Sequence, residues 1–242
     1  MLTIENLRKS FGGVSAMNGV NLHFAPGSLT AVIGPNGAGK TTLLETVVGL
    51  RRPDHGRVRL GDAVLTGLAD NARVFSFLLD EAELPAEVRV STLLRFAQKR
   101  QGVPAALAAM LTERLGLRPL LSARATELSR GERRRVALFD ALCTTRPILV
   151  LDEPFGVFDP RQLLDILSLV QDRVAAGHAL LLSVHQMADA EKLASRCLLL
   201  RQGRVVALGT LAELQQQASL PSASLETIFL SLLSERSDDA GA

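Results

Sequence analysis

Residues 34–42 read Gly-Pro-Asn-Gly-Ala-Gly-Lys-Thr-Thr, a complete G-x-x-x-x-G-K-[ST] phosphate-binding loop. The preceding run Ser28–Ile33 is apolar and predicts a buried strand, and residues 41–50 carry apolar pairs at helical spacing. The chemistry requires this order, because glycines let backbone N–H groups approach phosphate oxygens and a following helix adds its positive end. A chance glycine turn is the alternative, and the flanking strand and helix disfavour it. The stretch predicts a nucleoside triphosphate as the ligand.

Two side chains of this loop have specific predicted roles. Lys40 is expected to reach the β- and γ-phosphates, and the Thr41 hydroxyl is expected to bind Mg²⁺. The predicted nucleotide-binding residues of the loop are Gly34, Pro35, Asn36, Gly37, Ala38, Gly39, Lys40, Thr41 and Thr42.

Three later segments sharpen the prediction. Leu128–Glu132 reads LSRGE, Ile148–Pro154 reads ILVLDEP, and His185 follows the apolar run ALLLSV. In this order and spacing, together with the phosphate loop, they resemble the ATP-binding-cassette (ABC) ATPase family. The resemblance covers residues 2–230, and the LSRGE segment separates this family from kinases, GTPases and helicases that share the loop.

The resemblance implies an α/β fold of the P-loop NTPase (RecA-like) type, with a parallel-sheet core, a small antiparallel β lobe and an inserted α-helical subdomain. We expect one domain over residues 1–230, with the core and β lobe at 1–79 and 146–215 and the helical subdomain at 80–145. Residues 231–242 are expected to form a polar tail, disordered at its end. The other predicted strands are Leu2–Glu5, Val20–Phe24, Arg57–Leu60, Ala63–Leu65, Pro147–Leu151, Ala179–Val184, Cys197–Leu200 and Arg204–Leu208, and the predicted helical stretches are Thr92–Leu117 and Arg161–Ala176.

Three polar residues follow predicted buried strands. A charge such as that of Asp152 at a strand end is costly unless water, hydrogen bonds or metal meet it, so we expect Asp152 to support Mg²⁺. By resemblance Glu153 is the general base that polarises the attacking water, and His185 contacts the γ-phosphate. The alternatives are a turn or capping carboxylate for Asp152, an exposed glutamate for Glu153, and an ordinary core or surface histidine for His185.

Two helix starts have both a local and a functional interpretation. Ser129 and Glu132 form a capping-box pattern, and Asp159-Pro160 is a favourable helix start. In the ABC family the segment that contains Ser129 and Gly131 meets the γ-phosphate bound by the opposite subunit, and Asp159 matches an aspartate at the dimer interface. Arg130 stands where the commonest family pattern has glycine.

Two further positions are carried over from the resemblance. Phe11 stands where the family has an aromatic that stacks on adenine, the alternative being a phenylalanine buried under the β lobe. Asp80 stands where the family has a glutamine near the metal, or Glu81 does if the register slips by one residue. A carboxylate at this position could ligate Mg²⁺, and the alternative is that it caps or solvates a loop.

Composition limits the other interpretations. The chain has 242 residues, of which 47% are hydrophobic and 21% charged, and a net charge of +2, so it predicts a globular domain without a nucleic-acid footprint. The triplet 133–135 (Arg-Arg-Arg) is interpreted as a solvated helix face. Cys143 and Cys197 fit no metal spacing and are expected to be reduced core residues. No apolar stretch approaches the length of a membrane span.

The resemblance therefore implies an ATP-hydrolysing subunit that uses ATP and Mg²⁺. It is expected to dimerise with a second ABC ATPase subunit and to serve an integral membrane permease from the cytoplasmic face of the inner membrane. The C-terminal segment LETIFLSLL suggests export. Two alternatives stay open: a soluble ABC ATPase acting in translation or DNA repair, and a regulatory half-subunit that binds ATP with little turnover.

Overall fold

A six-stranded sheet forms the centre of the computed structural model, which describes residues 1–79 and 83–238. Its strands are β3 (Leu29–Ile33), β6 (Phe75–Leu78), β7 (Ile148–Leu151), β8 (Ala179–Val184), β9 (Arg196–Arg201) and β10 (Arg204–Gly209). The spatial order is β10-β9-β3-β8-β7-β6. The pairs from β6 to β9 are parallel and only β9–β10 is antiparallel within this sheet, which confirms the predicted parallel core.

Both faces of this sheet are covered, which explains why its central strands are apolar at nearly every position. In β3, Leu29, Ala31 and Ile33 belong to one hydrophobic cluster and Val32 belongs to a second one on the opposite face. All residues of β3, β7 and β8 are buried. Successive residues of each central strand therefore face two different hydrophobic cores in turn, which explains the continuous apolar runs in the sequence.

A second, four-stranded antiparallel sheet forms the predicted β lobe. Its strands are β1 (Leu2–Phe11), β2 (Val14–Phe24), β4 (His55–Leu60) and β5 (Ala63–Val64), in the order β2-β1-β4-β5. β1 and β2 are longer than predicted, because the half of each strand next to their connecting turn is mostly exposed or partly exposed, with only Leu7 and Met17 buried, and shows no regular apolar alternation. Register shifts after Ile4 and after Lys9 interrupt the pattern further.

The helices lie between and around the strands. They are α1 (Lys40–Val47), α2 (Leu68–Val74), α3 (Val90–Gln101), α4 (Ala105–Arg114), α5 (Arg130–Leu142), α6 (Pro160–Ala175), α7 (Met187–Leu193), α8 (Leu211–Gln217) and α9 (Leu225–Asp238), with 3₁₀ turns at Arg118–Leu120 and Ala125–Glu127. α3, α4 and α5 connect the neighbouring strands β6 and β7. The single helical stretch predicted over 92–117 is in fact two helices, because Gly102 adopts a left-handed conformation and Pro104 follows it.

The C-terminal helix α9 is part of the core, with Leu225 and Ile228 fully buried. It spans Leu225–Asp238, and residues 239–242 lie outside the described part, so the disorder expected of the polar tail stays a prediction. Within the described residues, no helix combines the length and apolar character needed to cross a membrane.

A buried polar cluster fixes the amino ends of β7 and β8. The Arg173 guanidinium donates to the Thr144 carbonyl and contacts Nε2 of His178 at 2.5 Å, while Nδ1 of His178 lies 2.7 Å from the Arg146 carbonyl. This geometry places the ring proton on Nδ1 and leaves Nε2 as the acceptor. Burial and the neighbouring Arg173 hold the pKa of His178 below its usual range. The imidazole is therefore neutral in the folded protein.

Both cysteines are buried free thiols, as predicted. Burial raises the pKa of Cys143 to about 11 and that of Cys197 to about 12. Neither thiol has the thiolate character that nucleophilic or metal-binding chemistry needs.

Candidate nucleotide site

The phosphate-binding loop joins β3 to α1 at the carboxyl edge of the central sheet. Two of its glycines are required by close backbone approach: a Cβ on Gly34 would lie 2.2 Å from the Leu200 carbonyl oxygen, and one on Gly39 would lie 2.3 Å from that of Ala16. Gly39 also has a φ of 101° and precedes the first residue of α1. The loop is thus packed against its neighbours where side chains would not fit.

The β lobe and the terminal hairpin hold this loop in place. The N–H of Gly203 donates to the Ala38 carbonyl at 2.9 Å, and the N–H of Asn18 donates to the Gly203 carbonyl at 2.7 Å. The β9–β10 turn therefore connects the loop to strand β2. Pro35, Asn36 and Gly37 form the exposed tip, and Thr41 is exposed on the first turn of α1.

Lys40, Glu153 and His185 converge, although they lie far apart in the sequence. Nζ of Lys40 donates to the carbonyls of Gly34 and Pro35 at 2.9 and 3.3 Å and lies 3.9 Å from Oε1 of Glu153. Nε2 of His185 lies 2.8 Å from Oε2 of the same carboxylate. Lys40 is buried, whereas the His185 side chain is half exposed. The three side chains thus surround one point beside the phosphate loop.

Asp152 ends β7 and is completely buried. Its Oδ1 accepts a hydrogen bond from the Ser183 hydroxyl, whereas Oδ2 is buried without a hydrogen-bond partner among the described residues. An ionised carboxylate oxygen in that position needs a cation or a donor, so Asp152 fits a Mg²⁺ ion or one of its water ligands. Thr41 lies in the first turn of α1, directly after the phosphate loop.

Ser183 is a site residue that the sequence interpretation missed. Its hydroxyl lies fully buried on β8, donates to Asp152 and accepts the backbone N–H of Glu153 at 2.9 Å. It therefore holds both acidic residues at once. A serine inside the apolar run ALLLSV was the available signal, because a buried hydroxyl must find hydrogen-bond partners.

Only Arg133 of the arginine triplet 133–135 is exposed, so the predicted solvated helix face does not hold for Arg134 and Arg135. Arg134 is only 8% exposed, and all three guanidinium groups donate to backbone carbonyls. The prediction was wrong because a charge run alone does not show helical phase. Arg134 precedes the buried Ala137 and Leu138 by three and four residues and shares their face of α5.

Ser129 caps α5 as expected. Its hydroxyl accepts from the Glu132 N–H at 3.3 Å, and the Glu132 carboxylate accepts from the Ser129 N–H at 2.8 Å, which is the predicted capping box. These backbone and hydroxyl contacts hold the pKa of Glu132 below its usual range. Gly131 lies in the first turn of α5. Arg130 and Arg133 line a cleft with Glu153 and His185, so this helix start borders the same site.

Asp159 caps α6, since its Oδ1 accepts from the N–H groups of Arg161 and Gln162, both at 2.9 Å, with Pro160 in the first turn. The capping interpretation is thus confirmed. The interface role carried over from the resemblance stays a prediction, because it concerns a second subunit. The predicted metal ligand Asp80 lies outside the described residues, as does its alternative Glu81.

Phe11 is not buried under the β lobe, so that alternative is wrong. Its ring is 42% exposed at the end of β1. Nζ of Lys9 and Cζ of Arg51 lie 5.6 and 5.3 Å from the ring centroid. The exposed part of the ring is accessible to a planar base, and the predicted adenine contact stays a prediction.

This geometry defines a nucleoside-triphosphate site of the phosphate-loop type. The family described as ABC transporter matches residues 17–156. The chain is 33% identical to the sulfate/thiosulfate import ATP-binding protein CysA of Thermosynechococcus vestitus and 33% identical to the Fe(3+) ions import ATP-binding protein FbpC 2 of Rhodococcus jostii, over 91% and 88% of its own length. The chain belongs to the family of ABC transporter ATP-binding proteins.

Solved structures agree with this assignment. An ATP-binding subunit of an ABC transporter superposes with a TM-score of 0.88 at 28% identity, covering 96% of this chain and 99% of that one. An ATP-binding cassette of an ABC transporter in its ADP conformation superposes with a TM-score of 0.74 at 26% identity, covering 95% of this chain and 98% of that one.

The chain spans 67% and 63% of the length of the two sequence relatives named above. Both relatives are named as import proteins, so the export suggested by the C-terminal segment is not supported.

Proposed function

We propose that this protein binds ATP with Mg²⁺ and hydrolyses it to power transport through a separate membrane permease. The observation that carries the proposal is the position of the Glu153 carboxylate, 3.9 Å from Nζ of Lys40 and 2.8 Å from Nε2 of His185, beside the phosphate loop. A general base must lie next to the phosphate that is attacked, and Lys40 marks where the β- and γ-phosphates bind.

Each residue has a definable task. The N–H groups of the loop and the start of α1 receive the phosphates, and Lys40 adds a point charge. Asp152 and Thr41 would hold Mg²⁺, which supplies neutralisation of the charge on the phosphate oxygens. Glu153 orients and polarises the attacking water, and His185 holds the Glu153 carboxylate and reaches toward the γ-phosphate. Phe11 stacks on the adenine.

The partners follow from the same site. Ser129 and Gly131 start a helix at the rim of the cleft, where an anion is favoured, and we expect them to meet the phosphate bound by a second ABC ATPase subunit. Asp159 would lie at that interface. Dimer closure on ATP and opening after hydrolysis would be transmitted to the permease on the cytoplasmic face of the membrane. The names of the relatives favour import as the direction.

The test is a comparison of Glu153→Gln with Glu226→Gln, which makes the same chemical change on an exposed position of α9. Glu153→Gln should keep ATP binding and lose about 10²–10⁴-fold in turnover, the usual contribution of a general base. It should also sediment as a dimer with ATP and Mg²⁺. Glu226→Gln should match the wild type. Wild-type turnover in Glu153→Gln would remove Glu153 from its proposed role.

A further inference from the structure

The Arg134 side chain connects helix α5 to the acidic end of strand β7. It is 8% exposed, and its guanidinium donates to the carbonyl oxygens of Leu79 and Glu153, both at 2.9 Å, and to that of Asp152. Leu79 follows β6 directly, so the contacts span two neighbouring strand ends. A planar guanidinium can serve several acceptors in a fixed geometry, which an ammonium group cannot reproduce.

The backbone of Glu153 needs such support. Its φ is 46°, a left-handed conformation that is unfavourable for a residue other than glycine. Its N–H donates to the Ser183 hydroxyl at 2.9 Å, and its carbonyl accepts from Arg134. The peptide groups on both sides of the residue are therefore held. The direction of its side chain toward Lys40 and His185 depends on this backbone geometry.

Helix α5 carries two features at once. Its first turn contains Gly131 and is capped by Ser129, and Arg134 extends from its buried face. We infer that Arg134 is a positioning residue for the base Glu153, so that the base is directed at the nucleotide only while α5 keeps its place against β7. This inference rests on the proposed function. It implies that displacement of the Ser129–Gly131 segment alters hydrolysis by this chain's own site.

Arg135 is a matched control on the same helix. It also donates to two backbone carbonyls, those of Leu115 and Gly116, at 3.2 and 3.4 Å. Those carbonyls follow helix α4 and belong to the connection between β6 and β7, not to the nucleotide site. Arg135→Lys therefore makes the same chemical change on the same helix, at a less buried position, without touching Glu153.

The first measurement separates turnover from binding. Arg134→Lys should bind a fluorescent ATP analogue within about twofold of the wild type while kcat for Mg²⁺-ATP falls about 10- to 100-fold, the usual effect of a misplaced catalytic group. Arg135→Lys should keep kcat within about twofold. A loss of nucleotide affinity equal to the loss of kcat would indicate a merely structural role and would overturn the inference.

The second measurement is a double-mutant cycle. If Arg134 acts through Glu153, adding Arg134→Lys to Glu153→Gln should cause no further loss of single-turnover hydrolysis. A further loss of the same size as in the single variant contradicts the inference. A wild-type chain without turnover overturns the proposed function, and the inference with it. An unchanged kcat in Arg134→Lys beside an active wild type overturns the inference alone.

A third measurement does not depend on turnover. Amide hydrogen exchange of a peptide covering residues 150–156 should be faster in Arg134→Lys than in Arg135→Lys, because the support of the Glu153 backbone is lost. If Arg134→Lys does not fold, Arg134→Gln takes its place, since its amide still donates to one carbonyl. Equal exchange in the variants of the two arginines would refute the positioning role.

Discussion

Replacing Ser183 by alanine should destabilise the folded chain strongly. The Ser183 hydroxyl is fully buried on β8, where it donates to Oδ1 of Asp152 and accepts the N–H of Glu153. Alanine leaves the fully buried Asp152 carboxylate and the part-buried Glu153 N–H without this hydroxyl partner. The substitution removes one oxygen atom and disturbs little else, so its effect reports on the lost hydrogen bonds.

The magnitude follows from the two groups left unsatisfied. Each costs about 1–3 kcal/mol when it cannot reach water, so the free energy of unfolding should fall by about 2–6 kcal/mol in the absence of nucleotide. For a domain of this size that corresponds to a loss of about 4–24 °C in the melting temperature. The charged acceptor Asp152 places the expected value in the upper part of this range.

The assay is thermal unfolding followed by circular dichroism or calorimetry, because the chain contains no tryptophan or tyrosine for fluorescence. Ser195→Ala is the control. The Ser195 hydroxyl also makes two hydrogen bonds, to the N–H and carbonyl of Leu29 at 2.9 and 2.8 Å, but the residue is exposed and water can replace it. Ser195→Ala should lower the free energy of unfolding by less than about 1 kcal/mol. Equal melting temperatures for the two variants would refute the reasoning.

The remaining predictions concern ligands and pH. Lys40→Ala should lose about 1.5–3 kcal/mol of binding free energy toward both ATP and tripolyphosphate, and unchanged binding would contradict the phosphate-loop assignment. Phe11→Ala should weaken ATP about tenfold but leave tripolyphosphate unaffected, because only the base is stacked; equal losses would argue against stacking. Neutral His178 should contribute fully to the free energy of unfolding above the pKa of an unfolded histidine, about 6.5. This contribution should be lost as the pH falls through the lowered pKa of His178 in the folded chain, because protonation would place a second cation against Arg173. His178→Gln should reduce the pH dependence of the free energy of unfolding between about pH 8 and pH 5. An unchanged pH dependence would exclude His178 as its cause. Asp80→Gln should keep ATP affinity within a few-fold, lower the Mg²⁺ dependence and raise basal turnover modestly; superimposable Mg²⁺ titrations would place Asp80 beyond reach of the metal.

The features that could be predicted are those whose signal is local. The phosphate loop lies between a strand and a helix as expected, and the caps at Ser129 and Asp159 form where short polar side chains precede helices. Buried strands such as Ala179–Val184 matched their apolar runs because both sides of the sheet are covered. In each case the residues that decide the structure are sequence neighbours.

The features that were missed depend on contacts between distant segments. Ser183 contacts Asp152 and Glu153 from the neighbouring strand β8, and Arg134 contacts them from helix α5. No local sequence pattern predicts these contacts. The burial of Ser183 and Arg134 could have been suspected, from a hydroxyl in an apolar strand and from the helical phase of α5. The second half of β1 was missed for another reason: its pairing is made by backbone groups, while its polar side chains resemble those of a loop.

The strand order also has a consequence for how the chain folds during its synthesis on the ribosome. β3 spans residues 29–33, yet both strands that pair with it, β8 and β9, lie beyond residue 178. Translation at about 5–20 residues per second leaves this apolar segment without its partners for on the order of ten seconds. During that time the phosphate loop lacks the central sheet at whose edge it lies, and its flanking strand β3 is open to aggregation or to capture by a chaperone. Completion of the central sheet is therefore a late event that waits for the last third of the chain.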